Sequence, residues 1–208
     1  MIHALPGLGA NHRMFPAEWS ALPDFQAHDW GHYAGEKSLA QAARSMIGTC
    51  GIHDGDIVVG ASLGGMVACE ISKQVKLKQL YLIGSAVKKE EISKFLSFLH
   101  PLAQYAPIDW IKVSAGKIPS DMAQMFAGIE AASVRSMCEA IFDWEGLGES
   151  RIPLFRIHGR GDLVIPPPEK VDLLLDGGHL ISVTHAKECV AFIRLSIGSR
   201  RRLEDAGF

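Results

Sequence analysis

A chain of 208 residues, 48% hydrophobic and 21% charged, is long enough to bury one core and short for two. Its net charge of −2, with Arg200-Arg201-Arg202 as the one basic run, argues against nucleic acid as the principal partner. No apolar stretch is long enough to span a bilayer and no charged-then-apolar leader precedes Leu5, so no membrane association is expected and a cytoplasmic location is.

In chain order, residues 2–5 read as a first strand and 12–20 as a short helix. Residues 25–30 form a second strand, and 38–49 a helix with Leu39, Ala42, Ala43, Met46 and Ile47 on one face. Residues 56–59 are a short apolar run, as expected of a strand buried on both faces of a parallel sheet. Beyond it Met66, Val67, Ala68, Ile71 and Val75 recur at helical spacing over 64–73. Residues 77–84 are strand-like again. After a long insertion, 152–158 and 171–175 are the last two strands, and His185 opens the final helix. Strands alternating with helices imply a parallel sheet covered on both sides.

The chemistry concentrates at Gly60-Ala61-Ser62-Leu63-Gly64, where a strand runs into a helix. A serine presented alone at a sharp strand-to-helix turn is accessible to a base, which makes Ser62 the candidate nucleophile. Side chains at Gly60 or Gly64 would collide across such a turn. The Leu63 amide lies at the helix N-terminus, where an unpaired donor favours a developing oxyanion. Such an elbow requires an acid and then a histidine after later strands. Asp162 follows the strand at 152–158, and His179 follows that at 171–175. Asp176 is the rival acid, lying three residues before the histidine. His158 is expected to be a packed structural residue, and His185 to serve helix entry beside Ser182 and Thr184.

Five segments in this order, Leu5-Pro6-Gly7-Leu8-Gly9, Asp29-Trp30-Gly31-His32, the elbow, His158-Gly159-Arg160-Gly161-Asp162 and Gly177-Gly178-His179-Leu180, resemble a small member of the α/β-hydrolase superfamily. The resemblance covers nearly the whole chain. It implies that Ser62 is the nucleophile, His179 the general base and then acid, and Asp162 the carboxylate that orients the imidazole. It also implies that the Leu8 amide joins that of Leu63 in an oxyanion hole. The expected architecture is three-layer α/β/α, with a mostly parallel sheet of about six strands and a helical lid. Residues 1–85 and 150–208 would form the core, and 86–149 the lid.

Two strands that commonly precede the oxyanion loop in this superfamily are not expected here, which would leave residues 25–30 on a sheet edge, so that either pairing with a second copy of the chain or local protection is expected. Between Asp162 and Val171 the run Pro166-Pro167-Pro168 reduces the usual crossover helix to a turn. Within the lid, helices over 90–105, 120–127 and 132–144 are expected, with Trp110, Met125, Phe126 and Trp144 as pocket candidates. Cys50, Cys69, Cys138 and Cys189 read as reduced thiols, Cys69 as packing. His3, His12, His28, His32, His53 and His100 show no metal-ligand spacing, so neither metal nor cofactor is expected. The function implied is a serine hydrolase acting on small carboxylic esters. Other triad chemistry (acyl transfer, thioester or amide cleavage, C–C hydrolysis, cyanohydrin-type elimination) and a ligand-sensing receptor with little turnover remain open on the same scaffold.

Overall fold

The computed structural model describes residues 1–92, 124–126 and 130–205. Six strands, β1 (Ile2–Leu5), β2 (Phe25–Ala27), β3 (Ile57–Ala61), β4 (Gln79–Ile83), β5 (Leu154–Gly159) and β6 (Leu173–Leu175), form one sheet in the order β2-β1-β3-β4-β5-β6. All five pairings are parallel, with β3 in register with β1 from Ile57 opposite Ile2 to Gly60 opposite Leu5.

Alternation along the central strands explains how both faces are buried. Val58, Leu80 and Leu82 enter one core with α1 (Leu39–Cys50), α2 (Leu63–Ser72) and α3 (Ala131–Phe142). Ile57, Val59, Tyr81 and Ile83 enter the other with Trp19 and the long terminal helix α5 (Ala186–Asp205), which follows the short α4 (Ile181–Thr184). Period-two side-chain direction sends neighbours to opposite layers, so a continuously apolar strand serves two cores. The result is the expected α/β/α sandwich. Helix α1 shows the local signals that bound it: the Ser38 side chain accepts from the Gln41 amide, and Gly51 ends the helix in the left-handed region at φ 64°.

Several expected elements are shorter than the sequence suggests. The helix expected over 12–20 is two 3₁₀ turns, His12–Met14 and Ala17–Ala21, because Pro16 between them has no amide hydrogen to continue a helix. The second strand ends at Ala27 rather than at residue 30, and the last at Leu173–Leu175. Of the insertion, Lys89–Glu91 and Gln124–Phe126 form 3₁₀ turns and Ala131–Phe142 is helical. The bodies of the helices expected over 90–105 and 120–127 lie mostly outside the described residues, as does Trp110. Among the described residues no helix is long and apolar enough to cross a membrane.

Candidate active site

The turn at the end of β3 carries the clearest local strain. Ser62 sits at φ 51°, ψ −121°, one of two non-glycine residues with positive φ among those described. Such a conformation costs on the order of 1–3 kcal/mol and persists only where the surroundings enforce it. Two glycines make room for it: a Cβ on Gly60 would collide with the backbone of Gly64 and Gly65, and one on Gly64 with the carbonyls of Leu5 and Pro6. Ser62 is the N-cap of α2, yet its side chain makes no capping bond. The hydroxyl is left for another acceptor.

That acceptor is His179, in the loop after β6. Its Nε2 lies 2.9 Å from Ser62 Oγ, and its Nδ1 lies 2.8 Å from Asp162 Oδ2. A carboxylate can only accept, so Nδ1 carries the proton and Nε2 receives the Ser62 hydroxyl. Asp162, buried in the loop after β5, is aimed from its other oxygen: Oδ1 accepts from the amides of Val164 at 2.9 Å and Ile165 at 3.0 Å. The proline-shortened connection thus fixes the carboxylate through its own turn. Burial opposes ionisation of Asp162, but the His158 and His179 rings and the Ile165 amide more than offset it and hold the carboxyl well below the usual range. The side chain is therefore an anion at neutral pH.

His158 is fully buried, as a packed residue should be. Its Nε2 donates to the Ile165 carbonyl at 2.7 Å and stands 3.5 Å from Asp162 Oδ2. His185 lies apart, its Nδ1 2.8 Å from the Thr184 hydroxyl. Cys69 is fully buried and its thiol is pushed up to about 12 by burial, which suits packing rather than reactivity. The four cysteines are free thiols, and no cluster among the described residues has the makings of a metal site.

The loop after β1 closes over the elbow. A Cβ on Gly7 would lie 3.3 Å from that of Ser62, and the Trp30 indole donates to the Gly7 carbonyl at 3.0 Å. The amides of Leu8 and Leu63 donate to no backbone acceptor among the described residues, and both residues, though neither Ser62 nor His179, line one cavity of about 320 Å³. Its walls carry Trp30, Val134 and Met137, and its outer part Asp29, His32 and Glu130. Asp29 Oδ1 accepts from the His12 amide and ring at 2.7 and 2.8 Å, and His32 contacts Glu130 at 2.8 Å. The rim is polar.

Three of the pocket candidates, Met125, Phe126 and Trp144, fall elsewhere, and Trp110 lies outside the described residues. Trp144 is 6% exposed in the core beneath α2, its indole donating to Glu70 Oε1 at 2.8 Å. Met125 is buried in the other core with Met14 and Trp19, and Phe126 packs against that cluster. The carbonyl of Met125 accepts from the Asn11 amide at 2.9 Å, so this segment braces the loop after β1 instead of lining the cavity. Two residues that motif reading passes over also meet the site. Gly84, at φ 52°, lets the backbone after β4 come within contact of His179 and Asp162. Ser85 reaches the Ser62 carbonyl. The signal for the first was a glycine directly after a buried strand. For the second there was none.

No family model and no curated protein sequence matches the chain. Among solved structures it is similar to a thermophilic esterase from Thermogutta terrifontis, with TM-score 0.70, 16% identity, and 95% of this chain and 89% of that one covered. It is likewise similar to the enol-lactonase from Burkholderia xenovorans, with TM-score 0.71, 17% identity, and 92% and 88% covered. A hydrolase from Oleispira antarctica aligns with TM-score 0.72 and 14% identity over 92% and 89%. At such identities the likeness is one of fold. The chain has the α/β-hydrolase fold.

Proposed function

We propose that the protein is a serine hydrolase that cleaves small carboxylic esters, lactones included, through an acyl-enzyme on Ser62. The observation that carries this reading is the hydrogen-bonded chain from buried, anionic Asp162 through His179 to a strained serine hydroxyl that caps no helix. A fold hosts many reactions, so the argument rests on this geometry. That the neighbours include an esterase and an enol-lactonase is consistent with it, a lactone being a cyclic ester.

His179 Nε2 takes the Ser62 proton as Oγ attacks the ester carbonyl, forming the C–O bond and moving the carbonyl electron pair onto oxygen. The Leu8 and Leu63 amides hold that oxyanion, and Asp162 stabilises the imidazolium. The C–O bond to the leaving alcohol then breaks, and His179 returns its proton to the alkoxide. A water, deprotonated by the same nitrogen, attacks the acyl-enzyme and releases the acid with the serine restored. Each step uses side chains, amides and water.

A cavity of about 320 Å³ with a polar rim suits short, compact acyl or alcohol groups over long chains. A panel of p-nitrophenyl esters of increasing acyl length tests both points. Turnover with an optimum at short chains and none in Ser62→Ala is expected; activity retained in Ser62→Ala would overturn the assignment.

A further inference from the structure

The elbow is strained, and something must hold it. Helix α2 does so loosely at this end: the Ser62 carbonyl accepts from the Gly65 amide at 3.0 Å and from Met66 at 3.4 Å. The shortest bond that this carbonyl receives comes from outside the helix, from the hydroxyl of Ser85 at 2.7 Å. Ser85 is fully buried, two residues past the end of β4. Its side chain fills the space that a Cβ on Gly65 would need, so hydroxyl and elbow are packed directly together.

Ser85 is held in turn. Its carbonyl accepts from Arg156 Nη2 at 2.9 Å, and Arg156, on β5, is 8% exposed. The guanidinium is locked by Glu91 in a paired contact, Nη1 to Oε1 at 2.9 Å and Nη2 to Oε2 at 2.7 Å. Glu91 Oε2 also accepts from the Val87 amide at 2.9 Å, which ties it to the same loop after β4. Paired arginine–carboxylate bonds combine strength with fixed direction. The chain Glu91, Arg156, Ser85, Ser62 therefore links the ends of β3 and β4 to the body of β5.

Alanine would fill the apolar part of the Ser85 site as well as serine does. What the hydroxyl adds is a directed bond on the backbone of the strained residue. Resting on the serine-hydrolase reading above, we infer that Ser85 is a positioning residue that holds the Ser62 backbone in its attacking conformation, and that the Arg156–Glu91 pair holds Ser85. The groups involved touch no substrate. Their effect is on where Oγ points, and small displacements of a reacting atom are costly.

The test uses the intact protein and a fluorophosphonate probe, because phosphonylation of Ser62 reports nucleophile placement without knowledge of the substrate. Wild type, Ser85→Ala and Glu91→Gln are compared well below their melting temperatures, with probe affinity separated from the maximal labelling rate. Ser85→Ala is expected to lower the maximal rate about tenfold, in line with the loss of one directed hydrogen bond, with affinity unchanged. Glu91→Gln keeps the shape but weakens the paired contact and is expected to lose about threefold in the same parameter. A role confined to folding would lower the melting temperature and leave the labelling rate of folded molecules alone. Folded Ser85→Ala labelled at the wild-type rate would overturn the inference; should that variant not fold, Glu91→Gln at the wild-type rate would do so. Wild type that does not label at all would instead overturn the serine-hydrolase reading.

Discussion

Among the described residues are two carboxylate–histidine chains of nearly the same construction. In one, Asp162 Oδ2 is 2.8 Å from His179, which is 2.9 Å from the Ser62 hydroxyl. In the other, Asp56 Oδ2 is 3.2 Å from His3 Nε2, and His3 Nδ1 is 2.9 Å from His28 Nε2. Distances alone do not separate them. What differs is the far end: the first finishes on a hydroxyl at a strained turn, beside two amides without backbone acceptors and a cavity. The second finishes on an imidazole stacked against its partner and 8% exposed. An acid–imidazole relay is therefore not by itself a catalytic site, and chemistry requires a nucleophile, an oxyanion site and room for a substrate at its end.

The contrast can be broken most sharply at the two ends. Ser62→Ala is expected to lower ester turnover by about 10⁴- to 10⁶-fold, measured with a short-chain p-nitrophenyl ester, whereas His28→Gln stays within about twofold. At the carboxylates, Asp162→Asn is expected to cost about 10⁴ in kcat through loss of the correct imidazole tautomer. Asp56→Asn should leave kcat within about twofold. It should instead lower stability by about 2 kcal/mol in urea unfolding, because Asp56 accepts bonds from His3, the N-terminal ammonium and the His53 amide.

Acid separates the two chains, because the histidines of the second add a loss of stability at higher pH to the carboxylate step that both chains share. Burial lowers the His3 and His28 pKa, with the neighbouring charges of Asp56, the N-terminus, His53 and Asp29 acting on them as well. A depressed histidine binds fewer protons folded than unfolded, so its contribution is full above about pH 6.5 and is lost as pH falls below it. For Asp162 and Asp56 the folded carboxyls are also depressed, and their contributions are full above about pH 4 and lost as pH falls further. Unfolding free energy measured against pH should therefore fall in two steps, and His28→Gln should flatten the upper one. A single step near pH 4 in the unmutated protein would contradict the contribution assigned to His3 and His28.

The fold and the three candidate side chains were legible because each rests on a local pattern. Gly-x-Ser-x-Gly between an apolar strand and a helix is a short-range signal, and Asp162 and His179 each stand a few residues past a strand whose end the glycines mark. The parallel sheet followed from strands alternating with helices. The pocket was not legible. Trp144 has the size and polarity of a pocket residue, but a glutamate on α2 takes its indole into the core, and no spacing in the chain announces that pairing. Residues 29–32, read as the end of a strand and as a motif, supply much of the cavity wall. Ser85 was invisible for the same reason: its partner lies 23 residues away and is a main-chain carbonyl, which carries no sequence signature.

The central claim is that Ser62 is the activated group. Labelling of the unmutated protein with a fluorophosphonate, followed by peptide mapping, tests it most directly. One adduct per chain on Ser62 is expected, slowed severely in Asp162→Asn and unaffected in Asp56→Asn. Folded protein that takes up no probe, or carries it on another residue while Ser62 stays free, would contradict the account.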